Sequence, residues 1–412
     1  MPKNIVICCD GTANQFAEDR TNVIKLYYTL EQDHPDRQIA FYHPGVGTME
    51  PVGALTTPAR TTTRVLGMAV GYGLSNDIAD AYTFLMNNYK DEDRVYVFGF
   101  SRGAYTARAV CSLLRMYGLT RPGNGPLVPY AVRMMMAIGK LNGREDIGKA
   151  PTQQQKDAIN NYFRLAKDFN DMMTRKGCAP YFVGVWDTVS SVGWKDNPLK
   201  LPFTANNPDI AIGRHAIAID ERRAFFRTNR WVPPADPTAV HGPRDVRQVW
   251  FAGVHCDVGG GYAEAESGLS KIALEWMLEE AKANGLLVNN SRQAEVLGLS
   301  PGSTYAQPNA DACQHESLTG AWKIAEWIRK PHYDATTGKT TMQRNRGKRR
   351  AIPPNSFVHE SVFRRNGGKY AATAGIPADA VPVATLRPAV PPPPNPAVPS
   401  PPATSTTNTS TS

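Results

Sequence analysis

Four short apolar runs constrain this chain more than any other feature: Asn4–Cys9 (NIVICC), Arg94–Phe100 (RVYVFGF), residues 181–186 (YFVGVW) and residues 246–254 (VRQVWFAGV). Each is rich in β-branched and aromatic residues, and each is apolar at odd and even positions alike. A strand of that kind needs cover on both faces, which a parallel sheet clad by helices provides. Helical spacing fills the intervals. One apolar stripe runs through Ile78, Tyr82, Leu85 and Tyr89, with Ser75 as its expected cap, and another through Ala104, Ala107, Cys111 and Leu114. Further helices are expected over 22–30 and 270–284, the latter stopped by Gly285, and a short strand over 38–42. The pattern predicts an α/β fold, a mostly parallel sheet with helices on both faces.

In such sheets the reactive groups gather beyond the carboxyl ends of the strands. The residues that follow the four runs are Asp10, Ser101, Asp187 and His255. Ser101 stands in Gly99-Phe100-Ser101-Arg102-Gly103, a G-x-S-x-G match. The motif alone is common. Its position between a strand and a helix makes it specific, because both glycines are then needed for a turn too tight for side chains. An ordinary turn serine is the competing reading. A serine hydroxyl needs a base to activate it and an acid to orient that base. Among eight histidines, His255 is best placed, directly before the Gly-rich Asp257-Val258-Gly259-Gly260-Gly261, although a hydrogen-bonded core histidine is the bland alternative. Asp187 is the matching acid, giving the chain order Ser, Asp, His. A second assignment stays open, with Asp257 as acid and His359 as base. The expected oxyanion donors are the backbone N–H of Arg102, at the positive end of the new helix, and those of Gly11 and Thr12. Asp10-Gly11-Thr12 also echoes aspartyl phosphatases of the haloacid dehalogenase type. Those enzymes need Asp-x-Asp-Gly-Thr, and Cys8 occupies the nucleophile's position here.

Composition narrows the partners. A hydrophobic content of 42% and a charged fraction of 20% suit a globular chain. The net charge of +9 gathers in residues 214–230 (RHAIAIDERRAFFRTNR) and 343–350 (QRNRGKRR). A basic surface suits transient association with an anionic membrane, or serves only to keep the protein in solution. No interleaved basic and aromatic pattern of an RNA-binding sheet is present, so no nucleic acid partner is expected. The six cysteines lack CxxC spacing and read as reduced thiols. With no His/Cys ligand spacing either, neither metal nor cofactor is expected. The amino terminus MPKNIVICCDG is too short in its apolar stretch for a signal peptide, which predicts a cytoplasmic protein unless it is exported by a route that reads none. A catalytic domain is expected over 1–370, with a helical insertion at about 121–180 built from helices over 130–140 and 156–176. The loop at 46–73 and that insertion are candidates for a lid or acyl pocket, with Met134, Met135 and Met136 better suited to core than to lid. Residues 377–412, rich in Pro, Ser and Thr, read as a disordered arm.

Five blocks in order, ICCDGTANQ, FGFSRGAYTARA, GVWDTVSSVG, HAIAIDERRAFF and VWFAGVHCDVGGGYAE, resemble the first family of type VI secretion lipase effectors over about residues 3–285. The resemblance implies an α/β-hydrolase fold, a Ser-Asp-His triad and action on phospholipid esters. It carries the nucleophile onto Ser101, while Asp187 and His255 are matched to acid and base by their position. It further implies export by a type VI secretion system, with the secretion apparatus and an immunity protein as partners. The function expected is a serine ester hydrolase of the lipase or phospholipase type, acting through an acyl-enzyme. The alternative is a non-catalytic hydrolase-fold adaptor that recruits partners through its Pro-rich arm.

Overall fold

The apolar runs become strands because helices cover both of their faces. The computed structural model describes residues 2–11, 20–45, 73–142, 152–175, 177–189, 193–194, 197–233, 238, 244–333 and 340–386. Its main sheet has eight strands: β1 (Asn4–Cys9), β2 (Gln38–His43), β3 (Arg94–Phe100), β4 (Pro180–Trp186), β5 (Ile212–Ala218), β6 (Asp245–Phe251), β7 (Phe357–His359) and β8 (Val381–Val383). They lie in the order β2-β1-β3-β4-β5-β6-β7-β8, and every neighbouring pair is parallel. The helices that matter for the site are α1 (Asn22–Thr29), α2 (Leu74–Asn88), α3 (Arg102–Tyr117), α4 (Val128–Asn142), α5 (Gln153–Met173), α6 (His255–Gly259) and α7 (Gly268–Ala283).

Side chains alternate across a strand, and the two cores follow that period. Ile5, Ile7, Val95, Val97, Val183 and Val185 face α2, α3 and the insertion helices α4 and α5. Val6, Cys8, Tyr96, Phe98, Phe182 and Trp186 face α1 and α7 on the other side. Met134 and Met135 are buried in the first core, with Met136 packed at its margin. Since β1 sits between β2 and β3, the chain winds one way from β1 and the opposite way from β3. The loops leaving these two strands therefore diverge and open a crevice at their carboxyl ends.

The structure departs from the sequence reading in four places. Helix α2 starts at Leu74, behind a left-handed Gly73 (φ 97°), so Ser75 lies inside its first turn and does not cap it. Strand β6 ends at Phe251, because Gly253 (φ 105°) bends the chain before His255 opens α6. Strand β5 was hidden in the stretch expected to be a charged surface. Arg214 and His215 are buried in it, and the Arg214 guanidinium donates to Glu280 (2.6 Å) and Asp245 (2.6 Å). The arm expected over 377–412 is corrected at its start: Val381–Val383 is an edge strand paired with β7, and Thr385 Oγ1 hydrogen-bonds His359 Nε2 at 3.1 Å. Residues 387–412 and the candidate lid loop at 46–72 lie outside the described residues.

The burial of Arg214 is testable. Removing Arg214 leaves buried Glu280 with only the longer ion pair to Arg247 (3.7 Å), so Arg214→Ala lowers unfolding stability by about 3 kcal/mol in urea titration. A surface arginine would change it by only about 0.5 kcal/mol.

Candidate active site

Strand β3 runs into α3 with only Ser101 between them. Ser101 takes φ 58° and ψ −121°, a conformation that costs a non-glycine residue on the order of 1–3 kcal/mol. Its surroundings fix it there. The Ser101 N–H donates to Trp186 O at 3.1 Å, which extends the β3–β4 ladder one residue past the strand. A side chain at Gly99 would collide with the Gly103 carbonyl, and one at Gly103 would overlap the carbonyl oxygens of Cys9 and Asp10. The first turn of α3 is thus seated on the end of β1, and both glycines are required by contact.

The ladder continues sideways. Asp187 N–H donates to Ala216 O at 2.7 Å, so Ser101 and Asp187 emerge from neighbouring strands about 4.8 Å apart. His255 follows β6, two strands further along, and α6 carries it back across the sheet end. Its N–H is held by Glu221 Oε2 (3.3 Å), and its ring packs against Phe100 (4.6 Å) and Phe226 (4.8 Å between centroids). The imidazole then spans the gap: Nε2 lies 2.8 Å from Ser101 Oγ and Nδ1 lies 2.5 Å from Asp187 Oδ2. With Nδ1–H donating to the carboxylate, Nε2 is free to accept the hydroxyl proton. Burial pulls the His255 pKa below the ordinary histidine value, against the opposing pull of Asp187, and so favours the neutral ring.

Asp187 is fully buried, which by itself would raise its pKa. Arg350 reverses that. Its guanidinium reaches both carboxylate oxygens, with Nη1 at 2.5 Å from Oδ1 and Nη2 at 3.1 Å from Oδ2, and also donates to the carbonyls of Ala218 and Phe226. Together with the His255 hydrogen bond it holds the carboxyl well below the usual carboxylate range. Sequence reasoning missed Arg350, which belongs to the run expected to be a basic surface. Its partner is 163 positions away, so no local pattern marks it.

The other candidates are elsewhere. Asp257 Oδ1 is bonded to His315 Nδ1 (2.6 Å), and Oδ2 accepts the N–H groups of Val254 (2.9 Å) and His315 (3.1 Å). His359 is buried between Ser361 Oγ (2.9 Å) and Thr385 Oγ1 (3.1 Å) and stacks on Phe251. It sits on β7, four strand spacings from β3, or about 19 Å. The structure brings neither residue to Ser101. Gly11 lies beside the elbow, but its N–H donates to Asp10 Oδ1 at 2.6 Å and is already engaged. Asp10 also accepts from Thr21 Oγ1 and Tyr42 Oη (2.7 Å each), which makes it a brace for the loop. Thr12 lies outside the described residues. Arg102 opens α3, its backbone N–H at the helix's amino end. Among the described residues no group of His, Cys, Asp and Glu is arranged to hold a metal ion.

A parallel sheet with a serine elbow at its switch point defines an α/β-hydrolase-like protein. The profile of the catalytic domain of Tle1-like type VI secretion phospholipase effectors matches residues 3–280, and the chain belongs to that family. Over 237 residues it is 31% identical to the uncharacterized protein YEL023C of Saccharomyces cerevisiae, covering 56% of this chain and 33% of that one. The chain thus spans about a third of the length of that relative. Two solved structures are similar. One is an uncharacterized protein from Pseudomonas aeruginosa (19% identity, TM-score 0.37, covering 71% of this chain and 47% of that one). The other is the Tle1 effector bound to the VgrG spike of the type VI secretion system (18% identity, TM-score 0.30, 65% and 52% covered).

Two outcomes follow from this geometry. Gly103→Ala forces backbone against backbone and lowers stability by about 3 kcal/mol, whereas Gly125→Ala, with no atom within 4 Å of the added methyl, leaves the urea midpoint nearly unchanged. Arg350→Gln removes a positive charge while Asp187 stays anionic, so the imidazolium of His255 is better stabilised and its pKa rises. The acid limb of the kcat/KM–pH profile then moves to higher pH, and Arg350→Lys moves it less. An unmoved limb in Arg350→Gln would reduce Arg350 to a packing role.

Proposed function

We propose that the chain is a serine ester hydrolase that cleaves acyl esters of phospholipids. The observation that carries this reading is the unbroken line of hydrogen bonds from Ser101 Oγ through His255 to Asp187, at 2.8 Å and 2.5 Å. Ser101 Oγ attacks the ester carbonyl while its proton passes to His255 Nε2. Asp187, fixed by Arg350, holds the Nδ1–H tautomer and stabilises the imidazolium that forms. The negative charge on the carbonyl oxygen develops at the amino end of α3, where the Arg102 N–H is the donor. Collapse of the tetrahedral adduct breaks the bond to the leaving alcohol, which takes the proton from Nε2. An acyl-serine remains. A water, deprotonated by the same imidazole, then releases the fatty acid and restores the hydroxyl. No cofactor enters the scheme.

Membership of a phospholipase effector family supports a lipid ester as the substrate and the type VI secretion system as the export route. By the same reasoning the secretion spike and an immunity protein are the proposed protein partners.

Purified protein is expected to release fatty acid from phospholipid, and Ser101→Ala to lower kcat by about 10⁴-fold or more with the fold intact. His255→Ala does the same, while His359→Ala keeps turnover. Full activity in His359→Ala and in His255→Ala alike would sink the assignment. Because burial depresses the His255 pKa, the base stays neutral at the ordinary histidine value. Activity therefore holds to below about pH 6.5 and falls only on further acidification, read from kcat/KM against pH.

A further inference from the structure

The segment that supplies Arg350 also presents an unusual outer surface. Ile324, in the short helix Ala321–Ala325, is 74% exposed, and Trp327 one turn later is 66% exposed, with Ile328 and Met342 beside them in sequence or across the hairpin. Large apolar side chains standing together in water point to something that covers them. Along 322–333 and 340–349 the exposed charges described are Lys323, Arg329, Arg344, Arg346, Lys348 and Arg349. The exposed acid beside them, Glu316, is paired with Arg222, which also donates to the Gly347 carbonyl. Arg344 lies over the Trp327 ring at 5.6 Å and donates to its carbonyl. The sole acidic residue in 322–333 and 340–349, Glu326, is buried and fully engaged with Ala224 N, Asn345 Nδ2 and Gly347 N.

This patch is continuous with the site. Trp322 packs edge-on against Phe226 at 5.3 Å, and Phe226 packs against the His255 ring at 4.8 Å. Glu326 ties the patch to the loop that carries Phe226, and Arg350 ties that loop to Asp187. Tryptophan and isoleucine inside a rim of Lys and Arg suit the boundary of an anionic bilayer, where each basic side chain adds attraction to the headgroups. No described helix is long and apolar enough to cross a membrane, so contact through this face is peripheral.

We propose that the face built by Ile324, Trp327, Ile328 and Met342, with its Lys and Arg rim, docks on anionic phospholipid bilayers beside the candidate active site. The bilayer as the source of substrate rests on the hydrolase reading, but the docking itself does not require turnover. The test uses full-length Ser101→Ala, which consumes no lipid, sedimented with vesicles of phosphatidylglycerol and phosphatidylcholine or of phosphatidylcholine alone. Binding is expected on the anionic vesicles, weakened by high salt and by omission of phosphatidylglycerol. Trp327→Glu, and separately Lys323→Glu with Arg329→Glu, reduce it about tenfold or more. In the Ser101 background the same changes leave hydrolysis of a monomeric short-chain ester within about twofold and lower it on vesicles. Melting curves confirm that each variant is folded. Equal binding by the parent and by both variants overturns the proposal, as does the absence of binding at low salt. A dimer dispersed by Trp327→Glu, without vesicle binding, assigns the face to a second copy and overturns it too. Vesicle binding without any ester turnover instead keeps this face and removes the hydrolase reading.

Discussion

The contact on which the site depends is between backbones. The first turn of α3 rests on the last carbonyls of β1, and only a glycine at position 103 allows that approach. This contact fixes the angle at which α3 leaves the sheet, and so the direction in which Ser101 Oγ points. It also brings the amino end of the helix to the switch point between β1 and β3, where a developing negative charge is best met. The hydroxyl's position is thus set by the packing of main chain on main chain, which leaves little room for drift.

Charge then organises what the backbone has placed. Asp187 is buried deeply enough that its carboxylate is unfavourable without a partner, and Arg350 supplies one with two-pronged geometry. That solution has a consequence for the imidazole. A carboxylate shared with a guanidinium offers less negative potential to His255, which is also enclosed by Phe100 and Phe226. Both effects favour a neutral ring, the form able to take a proton. The arginine's place in the chain also matters, since it joins the site's acid to the segment that carries the exposed tryptophan.

Much of this was legible in the residues, and the limits have physical causes. Strands β1, β3 and β4 announce themselves because they are apolar on both faces, and the elbow because two glycines flank a serine at a strand end. Asp187 and His255 could be singled out since each follows such a strand. Strand β5 escaped because Arg214 and His215 look like surface residues. Nothing nearby shows that Glu280 and Asp245 neutralise the arginine, and that pairing exists only in three dimensions. Arg350 was obscured for the same reason. Strands β7 and β8 have three residues each, too short for any period to emerge, and β8 lies in a Pro-rich context that resembles an extended arm.

Two of the non-glycine residues with positive φ stand in the site itself. Ser101 and Asp187 both have positive φ, 58° and 37°, although neither is glycine. Each sits one residue past a strand, and each is held by a ladder hydrogen bond that the strand's own register enforces. A residue free to relax would leave that region, at a gain of on the order of 1–3 kcal/mol. Neither can do so without breaking its bond to the next strand and, for Asp187, its contact with Arg350. The sheet therefore holds both side chains in conformations that they would not choose alone, with the oxygen atoms already turned toward one imidazole. On the proposed hydrolase reading, an ester that reaches Ser101 meets groups whose alignment cost was met in folding, which is what preorganisation requires.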